Sequence, residues 1–204
     1  SSTSRGLGDV YKRQVKKVVS PVMVNKEKST FYHIDFSFDD LRLGGSAFAQ
    51  SLNKVGSDVP TCKNPEYFRD AFNAVQTLVN KGLVLAGHDI SAGGLITTLL
   101  EMCFANMEGG MEISLDKFGR HDIVKILLAE NPGVVVQIAD KHKAEFKKIM
   151  DDAGVGYLKL GHPTDERLIQ VTKDGAEYQF GIDYLRDVWY STSYLLNRKQ
   201  SMNG

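Results

Sequence analysis

Leu83-Val84-Leu85-Ala86-Gly87-His88-Asp89-Ile90-Ser91-Ala92-Gly93-Gly94-Leu95 is the stretch on which the fold turns. Its first four residues are apolar and predict a short buried strand. Residues 87–92 then turn polar, and Gly93-Gly94 opens a helix over residues 95–106. That helix carries Leu95, Ile96, Leu99, Leu100, Met102, Cys103 and Phe104 on nearly every side, which predicts burial on most faces. A strand that runs through a polar, glycine-rich loop into a buried helix is a building unit of an α/β protein.

The same alternation continues in both directions. Upstream, residues 15–24 are β-branched and interrupted by Pro21, the pattern of an edge strand. Residues 30–36 alternate as a second strand, Gly44-Gly45-Ser46 leads into a helix over 47–55, and Asn64-Pro65 opens a longer one. Phe68, Phe72, Val75 and Val79 share a face of that longer helix, and Gly82 stops it. Downstream, strands are expected at 110–114, 134–138, 157–161, 168–172 and 178–181, with helices over 121–129, 141–153 and 182–199. The helix at 141–153 turns Phe146, Ile149 and Met150 inward, and the last one carries Ile182, Leu185, Trp189, Thr192 and Leu196. Lys173-Asp174-Gly175 is a hairpin turn between two of the strands. Interleaved strands and helices with a hairpin included predict a mixed sheet covered by helices, an α/β (α+β) fold. Residues 1–14 have the composition of a non-native tail and are set apart from residues 15–204, which read as one domain. The C-terminal residues 198–204 stop just past the helical pattern, as a cut linker would.

Composition limits the function. Twenty-five basic residues balance 25 acidic ones, so no global field draws the chain to nucleic acid or to an anionic membrane. No apolar run has the length of a membrane span. Cys62 and Cys103 lie far apart, outside any CxxC or CxH context, and read as reduced thiols of a cytoplasmic protein. Neither sits in a nucleophile setting with a paired His, so the chain alone is expected to release no glutamate from glutamine.

The one segment that looks like a site is again residues 87–95. The start of the helix offers free N–H groups to a phosphate. Asp89 supplies a hard carboxylate oxygen of the kind Mg²⁺ takes beside nucleotide phosphates, and Ser91 a hydroxyl for a phosphate or the nucleotide. Set against this is a plain turn with Ser91 as helix N-cap and Asp89 in solvent; the residues alone support both. His88 and Asp89 are neighbours on an extended backbone and point to opposite faces, so they form no catalytic dyad. His88 either contacts substrate or fills a polar core position. His33, His121, His142 and His162 have no ligand spacing. Gly44-Gly45-Ser46 is either a second anion loop or a tight turn with Ser46 near a cap, and Glu130-Asn131-Pro132-Gly133 reads as a turn. With no GxxxxGK[ST] or GxGxxG motif present, any ATP chemistry must use a nonstandard site.

Six ordered blocks carry a resemblance. Residues 43–47, 72–76 and 88–95, then 99–105, 132–137 and 185–190, resemble in order and spacing the second half of the large-type phosphoribosylformylglycinamidine synthases. The likeness runs from about residue 15 to the C-terminus. It implies an ATP- and glutamine-dependent amidation of formylglycinamide ribonucleotide in purine biosynthesis, through an iminophosphate displaced by ammonia from a separate glutaminase domain. It implies the C-terminal-type domain of the second synthetase half, related to aminoimidazole ribonucleotide (AIR) synthetase, with a three-layer α/β/α mixed sheet. By the same likeness Asp89 binds Mg²⁺ and Ser91 contacts ATP or ADP, with the remaining metal ligands on a preceding domain. Many members carry a second Asp where this chain has Ala92, so any further carboxylate role there is lost. One nucleotide site of such enzymes does the chemistry and the other can be auxiliary, and this chain can belong to either. The alternatives are a noncatalytic domain that braces the synthetase halves, or another ATP-using relative such as a selenophosphate synthetase.

Overall fold

The computed structural model describes residues 17–202, apart from the side chains of residues 192, 196 and 200–202. The expected tail at residues 1–14 lies outside them. Inside the sheet, with a neighbour on each side, is β1 (Ser29–Asp35), buried over all but its last residue. It pairs antiparallel with β4 (Gly133–Ala139) on one side and β5 (Leu158–Thr164) on the other. Beyond β4 lies β2 (Val84–Asp89) as one edge. Beyond β5 lie β3 (Gly110–Ser114), β6 (Leu168–Lys173) and β7 (Ala176–Gly181), giving the order β2-β4-β1-β5-β3-β6-β7. The β3–β6 pair is parallel and the other pairings are antiparallel, so the sheet is mixed.

Strand alternation sends side chains to two cores. Phe31 and Val135 join Leu95, Leu99, Ile126 and Ile182 on one face. Tyr32, Ile34, Val136 and Ile138 join Ala71, Ala74, Leu78, Phe146 and Met150 on the other. The first face is covered by α3 (Gly94–Phe104), α4 (Ile123–Leu128) and α6 (Ile182–Met202). The second is covered by α2 (Pro65–Asn80) and α5 (Lys143–Asp152). A short α1 (Ala47–Ser51) follows the first glycine pair. Helices on both faces of a mixed sheet make the three-layer α/β/α arrangement expected.

Several sequence expectations need correction. Residues 17–24 form no strand. Pro21 lacks an N–H, and the segment is tied to the sheet by Gly87 N–H donating to Ser20 O (3.0 Å) and by the Gln137 side chain. The buried Gln137 amide accepts from Val24 N (2.8 Å) and donates to Val24 O (2.7 Å), doing the work of a missing strand neighbour. β2 is an edge strand that continues to Asp89, so His88 and Asp89 end the ladder opposite Val135 and Val134. α1 stops at Ser51 because Asn53 takes a left-handed conformation and Lys54 N–H turns back to Ala49 O. The start of α2 is as read: Asn64 Oδ1 accepts from Glu66 N and Tyr67 N, with Pro65 next. Its buried stripe is Ala71, Ala74 and Leu78, one position round from the aromatic face, and Phe72 is 48% exposed. Small residues let the helix lie close to the sheet. The hairpin turn at Asp174-Gly175 has positive φ at both residues, the geometry that matches strand twist. On α6, Ile182 is buried and the Trp189 ring lies 5.5 Å from Phe104, while the side chains of Thr192 and Leu196 lie outside those described. No helix among the described residues is long and apolar enough to cross a membrane.

Candidate functional site

Three strands end side by side. Asp35 is opposite Gly133, Val134 is opposite Asp89, and Ile90 N–H donates to Gly133 O (2.8 Å). The loops that follow β1 and β2 therefore meet the turn that precedes β4. The predicted site residues His88, Asp89, Ser91, Gly93 and Gly94 all lie at this end of the sheet. The Asp89 side chain is 74% exposed, Ser91 is exposed and Gly94 is buried.

The glycine pair at 93–94 has a structural cause. Both residues have positive φ, and a Cβ on Gly94 would lie 2.7 Å from Leu127 O and 2.8 Å from the Leu128 backbone. Gly94 lets α3 pack directly on the end of α4, while a Cβ on Gly93 would run into Thr97 of α3 itself. The N-cap position is Gly93, with no side-chain cap, so Ser91 is not the cap; its carbonyl accepts Gly94 N–H at 3.0 Å. Gly93 N–H donates to Glu130 Oε1 at 2.8 Å, and Ala47 N–H donates to the same oxygen at 2.8 Å. Glu130 thus joins the two glycine loops, a role the sequence reading of a turn missed.

At the other loop, Gly44 N–H donates to Asp58 O (2.8 Å) and Gly45 N–H to Val55 O (2.6 Å), while Ser46 caps α1 by accepting from Ala49 N. The chain itself takes these amides, and the tight-turn reading holds over the anion-loop reading. Asp39, its side chain fully covered, binds Lys63, Thr61 (2.8 Å) and Arg42 (3.0 Å), which hold its carboxyl well below the usual carboxylate range and close the loop. Asn131, 4% exposed, donates to Ser37 Oγ and Asp40 O and accepts from Arg42 N. Asn131 lies about 90 residues along the chain from these three partners, beyond the reach of any local motif.

His88 also found a partner that the sequence did not suggest. Its Nε2 lies 3.2 Å from Glu101 Oε2, and Glu101 Oε1 accepts from Trp189 Nε1 at 3.1 Å. The ring folds back far enough that Nδ1 sits 2.8 Å from Asp89 O and 3.4 Å from Asp89 Oδ1. The expected separation onto opposite faces is therefore incomplete, and the carboxylate that His88 engages most closely belongs to α3. His88 stands between a cleft of about 390 Å³ lined by Val19, Pro21 and Val79 and one of about 570 Å³ lined by Glu101, Phe104 and Trp189. Among the described residues no group of three or more His, Cys, Asp or Glu could hold a metal. A Mg²⁺ at this end would take one carboxylate, Asp89, from this chain; its exposure suits that, whereas Glu101 and Glu130 are engaged by their own donors.

Elsewhere, His33 is buried against Phe118, and burial pushes its pKa down to about 4. Burial pushes the Cys103 thiol up to about 12, and Cys62 is exposed; both are free.

The mixed sheet clothed on both faces, with glycine loops gathered at one end, defines a domain of the AIR-synthase-related type. Residues 36–174 match the family AIR synthase related protein, C-terminal domain, and the chain belongs to that family. It is 34% identical over 191 residues to the probable phosphoribosylformylglycinamidine synthase, chloroplastic/mitochondrial, of Arabidopsis thaliana. It is 33% identical over 192 residues to the Homo sapiens phosphoribosylformylglycinamidine synthase. Each likeness takes in 92% of this chain but only 13% and 14% of the relative, so the chain spans about a seventh of their length. Among solved structures, Thermotoga maritima PurL complexed with ATP matches with a TM-score of 0.63 at 15% identity, over 84% of this chain and 27% of that one. The same protein complexed with FGAR gives 0.65 at 16%, over 84% and 30%. At such identities the likeness establishes the fold.

Proposed function

We propose that this chain is the C-terminal-type domain of the second synthetase half of a phosphoribosylformylglycinamidine synthase. The whole enzyme would carry out the ATP- and glutamine-dependent amidation of formylglycinamide ribonucleotide, as a carbon–nitrogen ligase of purine biosynthesis. The observation that carries this reading is identity of about a third with two such enzymes across nearly the entire chain. In it the domain contributes to a Mg²⁺–nucleotide site. Asp89 provides a metal ligand, Ser91 contacts ATP or ADP, Gly93-Gly94 gives a bare backbone surface beside them, and His88 lies next to the metal ligand. Its partners are the preceding synthetase domains and the glutaminase domain, in the cytoplasm; the fragment by itself is inactive.

A second reading, a domain that braces the synthetase halves with an auxiliary nucleotide, is favoured by one observation. The amides of Gly44, Gly45, Ala47 and Gly93 are taken by the chain's own oxygens. Asp89→Asn in the intact parent enzyme tests both. Removing a carboxylate charge from the metal shell should lower bound nucleotide and shift its Mg²⁺ dependence. A catalytic site then loses turnover in step with nucleotide, while an auxiliary site loses melting temperature first. Unchanged nucleotide content would sink both.

A further inference from the structure

We propose that Glu130 is a built-in anion: its carboxylate stands where a phosphate would sit at the start of α3 and fastens the Gly93 loop to the Gly44–Ala47 loop. The inference deepens the nucleotide-site reading and rests on it only for its functional meaning. Three observations carry it. One oxygen, Glu130 Oε1, accepts both Gly93 N–H and Ala47 N–H at 2.8 Å. Gly93 is the N-cap of an eleven-residue helix and has no side-chain cap of its own, so the donors there need an acceptor from elsewhere. Glu130 follows α4 directly, and the end of α4 is the backbone on which Gly94 packs, so the carboxylate is delivered by the same contact that requires the glycine.

A carboxylate at a helix start is stabilised as a phosphate would be, by N–H donors and the positive end of the helix dipole. A nucleotide reaching this end of the sheet therefore meets no vacant amide at Gly93. Its phosphates fall to donors other than that amide, Ser91 among them, and to a metal on Asp89, and Gly93-Gly94 supplies clearance. Glu130 is in this sense a positioning residue: it sets the height of the Asp89–Gly94 loop relative to the loop after β1.

The test uses the full 204-residue chain with inorganic phosphate as the probe and no nucleotide, so its outcome is separable from that of Asp89→Asn. Glu130→Ala should speed amide hydrogen exchange at Gly93 and Ala47 together, by about tenfold or more for the loss of a charge-assisted bond. Gly156 N–H, held by Tyr67 Oη, should exchange as before. Glu130→Ala should also gain a phosphate-dependent rise in melting temperature that the parent chain lacks. Glu130→Gln retains an acceptor oxygen and should keep both amides slow. If Glu130→Ala does not fold, Glu130→Ser, uncharged and too short to reach both amides, takes its place. Acceleration at only one of the two amides, a parent chain that phosphate stabilises equally, or no phosphate response in the shortened variants would overturn the proposal.

Discussion

Two turns in this protein are written almost alike, Gly44-Gly45-Ser46 and Gly93-Gly94-Leu95, and they are built differently. The first opens α1, five residues long, with Ser46 as a side-chain cap and Ala49 as its buried residue. The second opens α3, eleven residues long, uncapped by its own side chains and buried on most sides. Each needs one of its glycines for close approach: a Cβ on Gly44 would meet Asp58 O at 2.5 Å, and one on Gly94 would meet the end of α4. A glycine pair before a helix thus reports that backbone passes close by. Whether a ligand binds there depends on which oxygens already hold the amides.

Substitution at the glycines gives the largest expected effect. Gly94→Ala combines overpacking against fixed backbone with a left-handed conformation and should cost roughly 3–5 kcal/mol. Gly45→Ala shares the positive φ but meets nothing nearer than Val59 Cγ1 at 3.6 Å, and should cost about 1–2 kcal/mol. Denaturant unfolding of the two variants compares them directly, and equal losses would mean that packing on α4 is not what the pair serves.

The histidines of the two approaching strands differ as the turns do. On β2, His88 is engaged by Glu101 and Asp89; on β1, His33 is buried with Nδ1 unpartnered. The folded pKa of His33 lies below its ordinary 6.5, at about 4, so the unfolded chain binds the extra proton first. Its contribution is intact above pH 6.5 and is lost as pH falls from 6.5 to about 4, a drop of about 3 kcal/mol. Unfolding free energy measured across that range should show this slope in the parent and a flatter one in His33→Leu.

The serines give the smallest contrast. Ser46→Ala removes a cap and should cost about 1 kcal/mol, while Ser91→Ala should change stability by less than about 0.5 kcal/mol. Thermal melts of the pair decide this; a Ser91 loss as large as that of Ser46 would give Ser91 a structural role that its geometry does not show.

Much of the fold was legible because periodicity and caps are local. β1, β4 and β6 came out within a residue or two, as did the Asn64-Pro65 helix start and the Asp174-Gly175 hairpin. The errors came where distant residues override local pattern. Residues 17–24 looked like strand because they are β-branched, yet they are tied down singly, Ser20 by Gly87 N–H and Val24 by the Gln137 side chain. Phe72 looked inward because it is apolar, yet Ala71 and Ala74 permit the closer contact. The passage from strand through Gly93-Gly94 into a buried helix could be read from sequence, although β2 runs on to Asp89. The Glu130 bridge and the His88–Glu101 contact could not, since each joins residues that only the folded sheet brings together.

The order of strands has one consequence for how the protein is made. β1 leaves the ribosome first among the described strands yet lies inside the sheet, and its partners β4 and β5 begin more than a hundred residues later. At roughly 5–20 residues per second of synthesis, it waits on the order of 5–20 s with both edges open. During that wait Ser29–Asp35 leaves Phe31, Tyr32 and Ile34 uncovered, three side chains that the finished sheet buries to within 3%.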